Sequence, residues 1–490
     1  MLAATTLSDG CYVPPVLRAL VLLSAAGLAA LAASPASARA LATAIFDPFA
    51  ASPTASAEFG RAKATGASFV RLTASWRATA PAAPAKGFAA ADPSDPGYRW
   101  ETLDEQIEAA VAAGLRPIVD IIVAPPWALE DGSGSPGTPV ARDLGDFARA
   151  AATRYSGRFH GLPHVRYWQV WNEPNLTTQL SPQLVRGRPV AALAYRDMVN
   201  AVAAAVKGVS GSNVVVAGGV SPFRDMTPET YQQNHDWGPL TFMRAFFCLS
   251  PKLRSTCSAK ARFDVWSLHP YTSGDPNHHA VLPDDVSLGD LPKLTAMIRA
   301  AVRRGHVLPQ QMPQLWVTEF SWDSSPPDPG GVPPRLLKRW VPQSLYQAWR
   351  SGFSLFTWFQ LNDQPLSAGP YQSGLHYSDG RSKPYLEGFR FPVLAFPRAR
   401  GFYIWGRTPW SAAGSVAVEQ LTGRRWRRVT TLHSDRSGIF QATLRGARTG
   451  SVRARLLRSG ERSLAFSLAR VPDHFYNPFG SRTGMQPGPR

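Results

Sequence analysis

Two glutamates stand where apolar runs end, in YWQVWNEPN (167–175, with Glu173) and QLWVTEFSW (314–322, with Glu319). An acid is costly to bury without a partner, and a proline such as Pro174 cannot donate to a strand ladder. Each glutamate is therefore either a solvated acid at the start of a loop or a group placed for chemistry. Two carboxyls together suit glycoside hydrolysis. One protonates the departing oxygen, while the other attacks the sugar or activates water on its far face. The pair needs unequal surroundings, so that one group keeps its proton and the other stays ionised.

The elements that must position them alternate. Short apolar runs occupy 41–47, 69–75, 117–123, 166–171, 213–219, 263–269, 314–320 and 353–359. Stretches of helical period lie between them, at 102–114, 192–208, 291–305 and 335–352, and several close on glycine. Strands that are apolar nearly throughout and alternate with helices predict a parallel sheet covered on its faces. Eight such strands close a (β/α)8 TIM barrel, an α/β fold of about 250 residues before loop insertions. Residues 41–397 fit an enlarged barrel, whose active site forms at the C-terminal strand ends. Glu173 falls just past the fourth run and Glu319 inside the last turn of the seventh. The remainder has short alternating runs broken by Gly, Asp and Ser, which predicts a small antiparallel β-sandwich over 400–471 and a tail over 472–490.

The residues around the two glutamates resemble glycoside hydrolase clan A, the retaining (β/α)8 superfamily with cellulase-like and β-xylosidase-like families. WNEPN is similar to the clan's strand-four signature, which implies Glu173 as general acid/base and Asn172 as a ligand of the sugar 2-hydroxyl. VTEFSW is similar to the strand-seven segment of the nucleophile, implying that role for Glu319. WSLHPY implies His269 and Tyr271 in the site, RLTASW implies Arg71 holding the nucleophile ionised, and FTWFQLND implies Trp358 as the floor under the sugar ring. Trp127 and Trp322 are candidates to extend that platform, with core packing as the alternative. Many cellulase-like members carry a histidine near the end of strand three. Here that stretch is DIIVAPPWA, which turns the resemblance toward family 39 and related exopolysaccharide-trimming enzymes. The resemblance implies retention, a carboxyl separation of about 5–5.5 Å and no metal or organic cofactor. A transglycosylase would use the same residues. A catalytically silent carbohydrate-binding protein is the rival from another class.

Bulk properties limit the remaining choices. The chain has 490 residues and is 44% hydrophobic, enough for a large core and a companion domain. Residues 1–40 read as an export signal, with Arg18, an Ala/Leu-rich run and the small-residue stretch SPASARA; a retained anchor is the alternative. Export leaves Cys248 and Cys257, which an oxidising compartment would join as a local disulfide and a reducing one would leave as thiols. The net charge is +18. From residue 398 onward there are 17 Arg and 4 acids, so the basic charge concentrates in the C-terminal part. That pattern fits either an anionic cell-wall or exopolysaccharide partner or a merely solvated surface. No nucleic-acid motif accompanies it.

Overall fold

The computed structural model describes residues 39–48, 55–130, 136–224, 238–367, 369, 371–472 and 474–476. Nearly all of the expected export signal, and most of the expected tail, lie outside them. The eight apolar runs become barrel strands: β1 Ala42–Phe46, β2 Phe69–Ser75, β3 Arg116–Ile122, β4 Tyr167–Val170, β5 Val214–Val220, β6 Val265–Leu268, β7 Gln314–Val317 and β8 Phe353–Phe359. They pair in parallel and close in the order β1-β8-β7-β6-β5-β4-β3-β2. Amphipathic helices supply the outer cover, among them α1 Ala55–Ala64, α2 Glu101–Ala112, α3 Ala141–Arg154, α4 Val190–Val209, α5 Pro239–Phe246, α6 Leu291–Arg303 and α7 Pro334–Arg350. Gly305 stands two residues past α6 at φ 77°, a left-handed conformation that lets the chain turn back toward the sheet.

Alternation along the strands divides the core in two. Ala44, Phe69, Ile118, Val216, Val265, Trp316 and Leu355 form an apolar layer inside the barrel, while the opposite side chains pack outward against helices. Two residues further along, on six of the eight strands or just past them, the inward position turns polar and stays buried: Arg71, Asp120, Gln169, Ser267, Thr318 and Thr357. The barrel thus has an apolar base and a polar layer just beneath its mouth.

The C-terminal part forms two antiparallel sheets. One holds β9 Val393–Arg398, β10 Gly401–Arg407 and β13 Ile439–Arg445. The other runs β12 Arg425–His433, β11 Ser415–Thr422, β14 Ser451–Leu456 and β15 Phe466–Ser467. Strand β9 lies on the barrel side of the boundary expected at 397–400, because its apolar FPVLAFPR reads like barrel strand and its pairing with β10 is visible only in space. Barrel and sandwich belong to one unit, Ala40–Arg490. An aromatic seam joins them: Tyr346 and Trp349 of α7 lie 5.4 and 5.5 Å from Trp405 of β10 between ring centroids. The buried Arg407 of β10 also donates from Nη2 to Thr43 Oγ1 of β1, at 3.2 Å.

Cys248 and Cys257 are joined as a disulfide that closes the loop after α5. Among the described residues no helix is long and apolar enough to cross a membrane.

Candidate active site

Arg71 is the hub of the polar layer. Its Nη2 donates to Asp120 Oδ2 and to Asn172 Oδ1, each at 2.6 Å, and its Nη1 donates to Glu319 Oε2 at 2.9 Å. The guanidinium also lies 4.2 Å above the ring of Phe46. Tyr271 Oη donates to the other oxygen of Glu319, Oε1, at 2.9 Å. Both carboxylate oxygens of Glu319 are thereby held, one in a charge-assisted bond and one by a hydroxyl.

Glu173 reaches the same place from a distorted loop. Trp171 and Glu173 adopt φ of 65° and 42°, a left-handed conformation costing of order 1 kcal/mol for residues other than glycine. The loop is over-determined by bonds to β5. Glu173 N donates to Gly219 O at 3.0 Å, and Asn175 Oδ1 accepts from Ser221 N at 2.8 Å. Gly218, at φ 99°, lets β5 turn against β6, where a Cβ would stand 2.3 Å from Ser267 O. His269, fully buried just past β6, places Nδ1 3.1 Å from Glu173 Oε1 and 3.9 Å from Glu319 Oε2. The two carboxyl oxygens flank one ring nitrogen, at most about 7 Å apart.

Surroundings separate the groups electrically. Burial, only partly opposed by the charge of Arg71, raises the Glu173 carboxyl to about 7. Burial also lowers His269 to about 3 despite the nearby Glu319, so the imidazole is neutral and carries one proton. With Glu173 ionised, that proton sits on Nδ1 and is donated to Oε1. Burial lifts Asp120 to about 6 against the pull of Arg71, leaving it ionised at neutral pH. For Arg71, burial alone would lower the guanidinium, but Asp120 and Glu319 outweigh it and the pKa is raised. Replacing Arg71 by Gln should therefore destabilise the fold by about 3–5 kcal/mol, because Asp120 would be left buried without its cation. Urea unfolding at neutral pH measures this, and Asp120→Asn in the same chain should recover part of the loss.

The structure brings Arg71, Asn172, Glu173, His269, Tyr271 and Glu319 to one mouth. It places the three tryptophans elsewhere. Trp358 is fully buried and faces the helices, with Nε1 donating to Ser373 O at 2.8 Å, so it is not a floor for a ligand. The reason is parity, since Leu355, Thr357 and Phe359 point inward on β8 and Trp358 must point out. Phe359 holds the inward position at the mouth, with Tyr371 edge-on at 5.3 Å between ring centroids. Trp322 is also buried, packed against Trp340 and Trp358. Trp127 is half-buried and anchors a loop, its Nε1 donating to Pro81 O at 2.8 Å. Glu319 stands two residues past the end of β7 rather than inside it.

Sequence reading missed Asp120, although an acid in the middle of PIVDIIV is a signal in its own right. It also missed Tyr371, whose hydroxyl burial raises in pKa, with further contributions from the charges of Glu319 and Glu173. Asp323, four residues after Glu319, is half-buried and bonds two distant segments. It accepts from Gln372 N at 2.8 Å and from Tyr476 Oη at 3.0 Å. Tyr476 N in turn donates to Ser273 O at 2.9 Å, so residues past the sandwich return to the barrel mouth. Asp264, at the opposite barrel face, pairs with Lys207 and caps Val215 N.

Residues 32–304, more than half of the chain, match the family described as cellulase, glycosyl hydrolase family 5. The chain belongs to that family. This glycosidase carries five of the six mouth residues within the matched segment, which stops before Glu319. It is similar in fold to a family 39 glycoside hydrolase from the gut symbiont Bacteroides cellulosilyticus WH2, with 14% identity, a TM-score of 0.52 and coverage of 83% of this chain and 81% of that one. A monomeric beta-xylosidase from Caulobacter crescentus CB15 shares 15% identity at a TM-score of 0.46, over 83% of this chain and 96% of the other. The GH39 enzyme from Xanthomonas axonopodis pv. citri shares 16% at 0.46, over 83% and 92%. No curated protein sequence matches the glycosidase. The family shown is family 5, and the likeness to the family 39 enzyme is one of fold alone.

Proposed function

We propose that this glycosidase is exported and cleaves a β-linked oligo- or polysaccharide by double displacement, with retention of the anomeric configuration. The observation that carries the reading is the placement of both carboxyls against one nitrogen of His269, at 3.1 and 3.9 Å. That bound on their separation favours direct attack over an inverting path with water between the groups. Glu319, ionised between Arg71 and Tyr271, attacks the anomeric carbon. Glu173 gives its proton to the leaving oxygen, so the glycosidic bond breaks as the glycosyl-enzyme bond forms. Water then attacks the same carbon, Glu173 takes the water's proton, and Glu319 departs as the carboxylate. Arg71 occupies Asn172 Oδ1, which leaves the amide NH2 to donate to the sugar 2-hydroxyl. Phe359 and Tyr371 supply the apolar wall.

Export is supported by the Ala/Leu-rich N-terminal run and by the disulfide between Cys248 and Cys257. The test is a screen of the purified protein on aryl β- and α-glycosides, with the first-formed anomer followed by NMR. Release from β-substrates with the β-anomer formed first is the expected result. The α-anomer as first product would overturn the mechanism.

A further inference from the structure

The four-stranded sheet of the sandwich has two unlike faces. Val416, Val418, Val452 and Ala454 point inward and are fully buried. The opposite face is built from guanidinium groups. Pairing register puts Glu419 of β11 between Arg428 of β12 and Arg453 of β14. Glu419 accepts from Arg453 Nε and Arg455 Nε, each at 2.8 Å. The Arg453 guanidinium lies 4.1 Å above the ring of Trp426. Arg424, Arg425, Arg427 and Arg428, at the tip and along the edge strand β12, are exposed, and none has a salt bridge among the described residues. Register puts Arg428 on the face of Glu419 and Trp426, whereas Arg425 and Arg427, opposite Thr422 and Gln420, project from the other side of the same edge.

Directly opposed like charges are destabilising, and a face that only needs solvation interleaves both signs. Here a single carboxylate serves Arg428, Arg453 and Arg455 on one side of the sheet, and Arg425 and Arg427 line the other side of the same edge, which leaves a net positive edge beside a planar aromatic ring. Guanidinium forks match carboxylates in two parallel bonds, and an indole face suits the apolar side of a sugar. The face is open rather than a cleft, so its ligand is a chain that lies across it.

We propose that this arginine-lined edge, strand β12 with the adjoining guanidinium groups of β14, binds an anionic polysaccharide bearing carboxylate groups, and holds it while the barrel cleaves. The choice of a glycan over other polyanions rests on the carbohydrate chemistry of the barrel. Charge steering of this kind weakens steeply with salt.

The full-length protein should be tested against polygalacturonate, neutral dextran and duplex DNA by affinity electrophoresis. Polygalacturonate should retard it, and raising ionic strength from roughly 50 to roughly 200 mM should release it. The combined variant Arg425→Ser, Arg427→Ser and Arg428→Ser should weaken retention by about tenfold or more, and the three-lysine version should keep most of it. Turnover of a small aryl glycoside should be the same in all three proteins. Equal retention by dextran, an unchanged serine variant, or DNA held more tightly than polygalacturonate would overturn the proposal. Loss of aryl glycoside turnover in the wild type would instead strike the catalytic reading, and the binding result would stand alone.

Discussion

Glu319→Gln should lower kcat by about 10⁴-fold or more on every substrate, because no other group near the anomeric carbon can form the covalent intermediate. The amide keeps the size of the side chain; its oxygen can still accept from Arg71 while its NH2 donates to Tyr271 Oη, so the fold should survive. Circular dichroism and thermal unfolding check that point separately. A substrate with a very good leaving group should not rescue the variant, since the missing step is attack and not protonation. Turnover within about tenfold of the wild type would remove Glu319 from the chemistry.

Glu173 should behave differently. Glu173→Ala should lose about 10²–10⁴-fold on poor leaving groups and much less on activated aryl glycosides, with azide restoring part of the rate. Its raised pKa also sets a pH limb. In the wild type kcat/KM should fall as pH rises through about 7, when the proton to be donated is lost. The limb should be absent from Glu173→Gln assayed on an activated substrate. If it persists there, another group owns it. The same shift bears on stability with a definite sign. The folded value of about 7 exceeds the ordinary 4.5, so the folded protein binds more protons over that window and loses stability as pH rises through it. Glu173→Gln removes the slope, and its melting temperature relative to the wild type should climb between about pH 5 and pH 8.

Much of this arrangement was legible in the chain. Eight apolar runs in regular alternation carry the barrel, and NEP and VTEF stand where two of them end. Errors arose where a residue's role depends on a side of the sheet. FSLFTWF offers an aromatic residue at four positions, and only the register with β1 and β7 shows that Phe359, not Trp358, faces in. Treating the strands as uniformly apolar hid a second regularity. The D of PIVDIIV, the Q of YWQVW, the S of VWSL and the T of LFTWF all occupy the inward position one layer below the mouth. Tyr371 and Tyr476 carried no local signal at all. Each matters through a partner far off in sequence, and a contact between residues 323 and 476 is decided by the fold as a whole.

The return of Tyr476 to Asp323 also orders events during synthesis. The barrel strands are complete at Phe359, yet this bond next to Glu319 waits for a residue 117 positions later. Each new copy thus emerges with its two glutamates in hand and one support of the Glu319 loop still inside the ribosome. A chain stopped after the last sandwich strand would carry every sequence motif of the enzyme and lack that final latch.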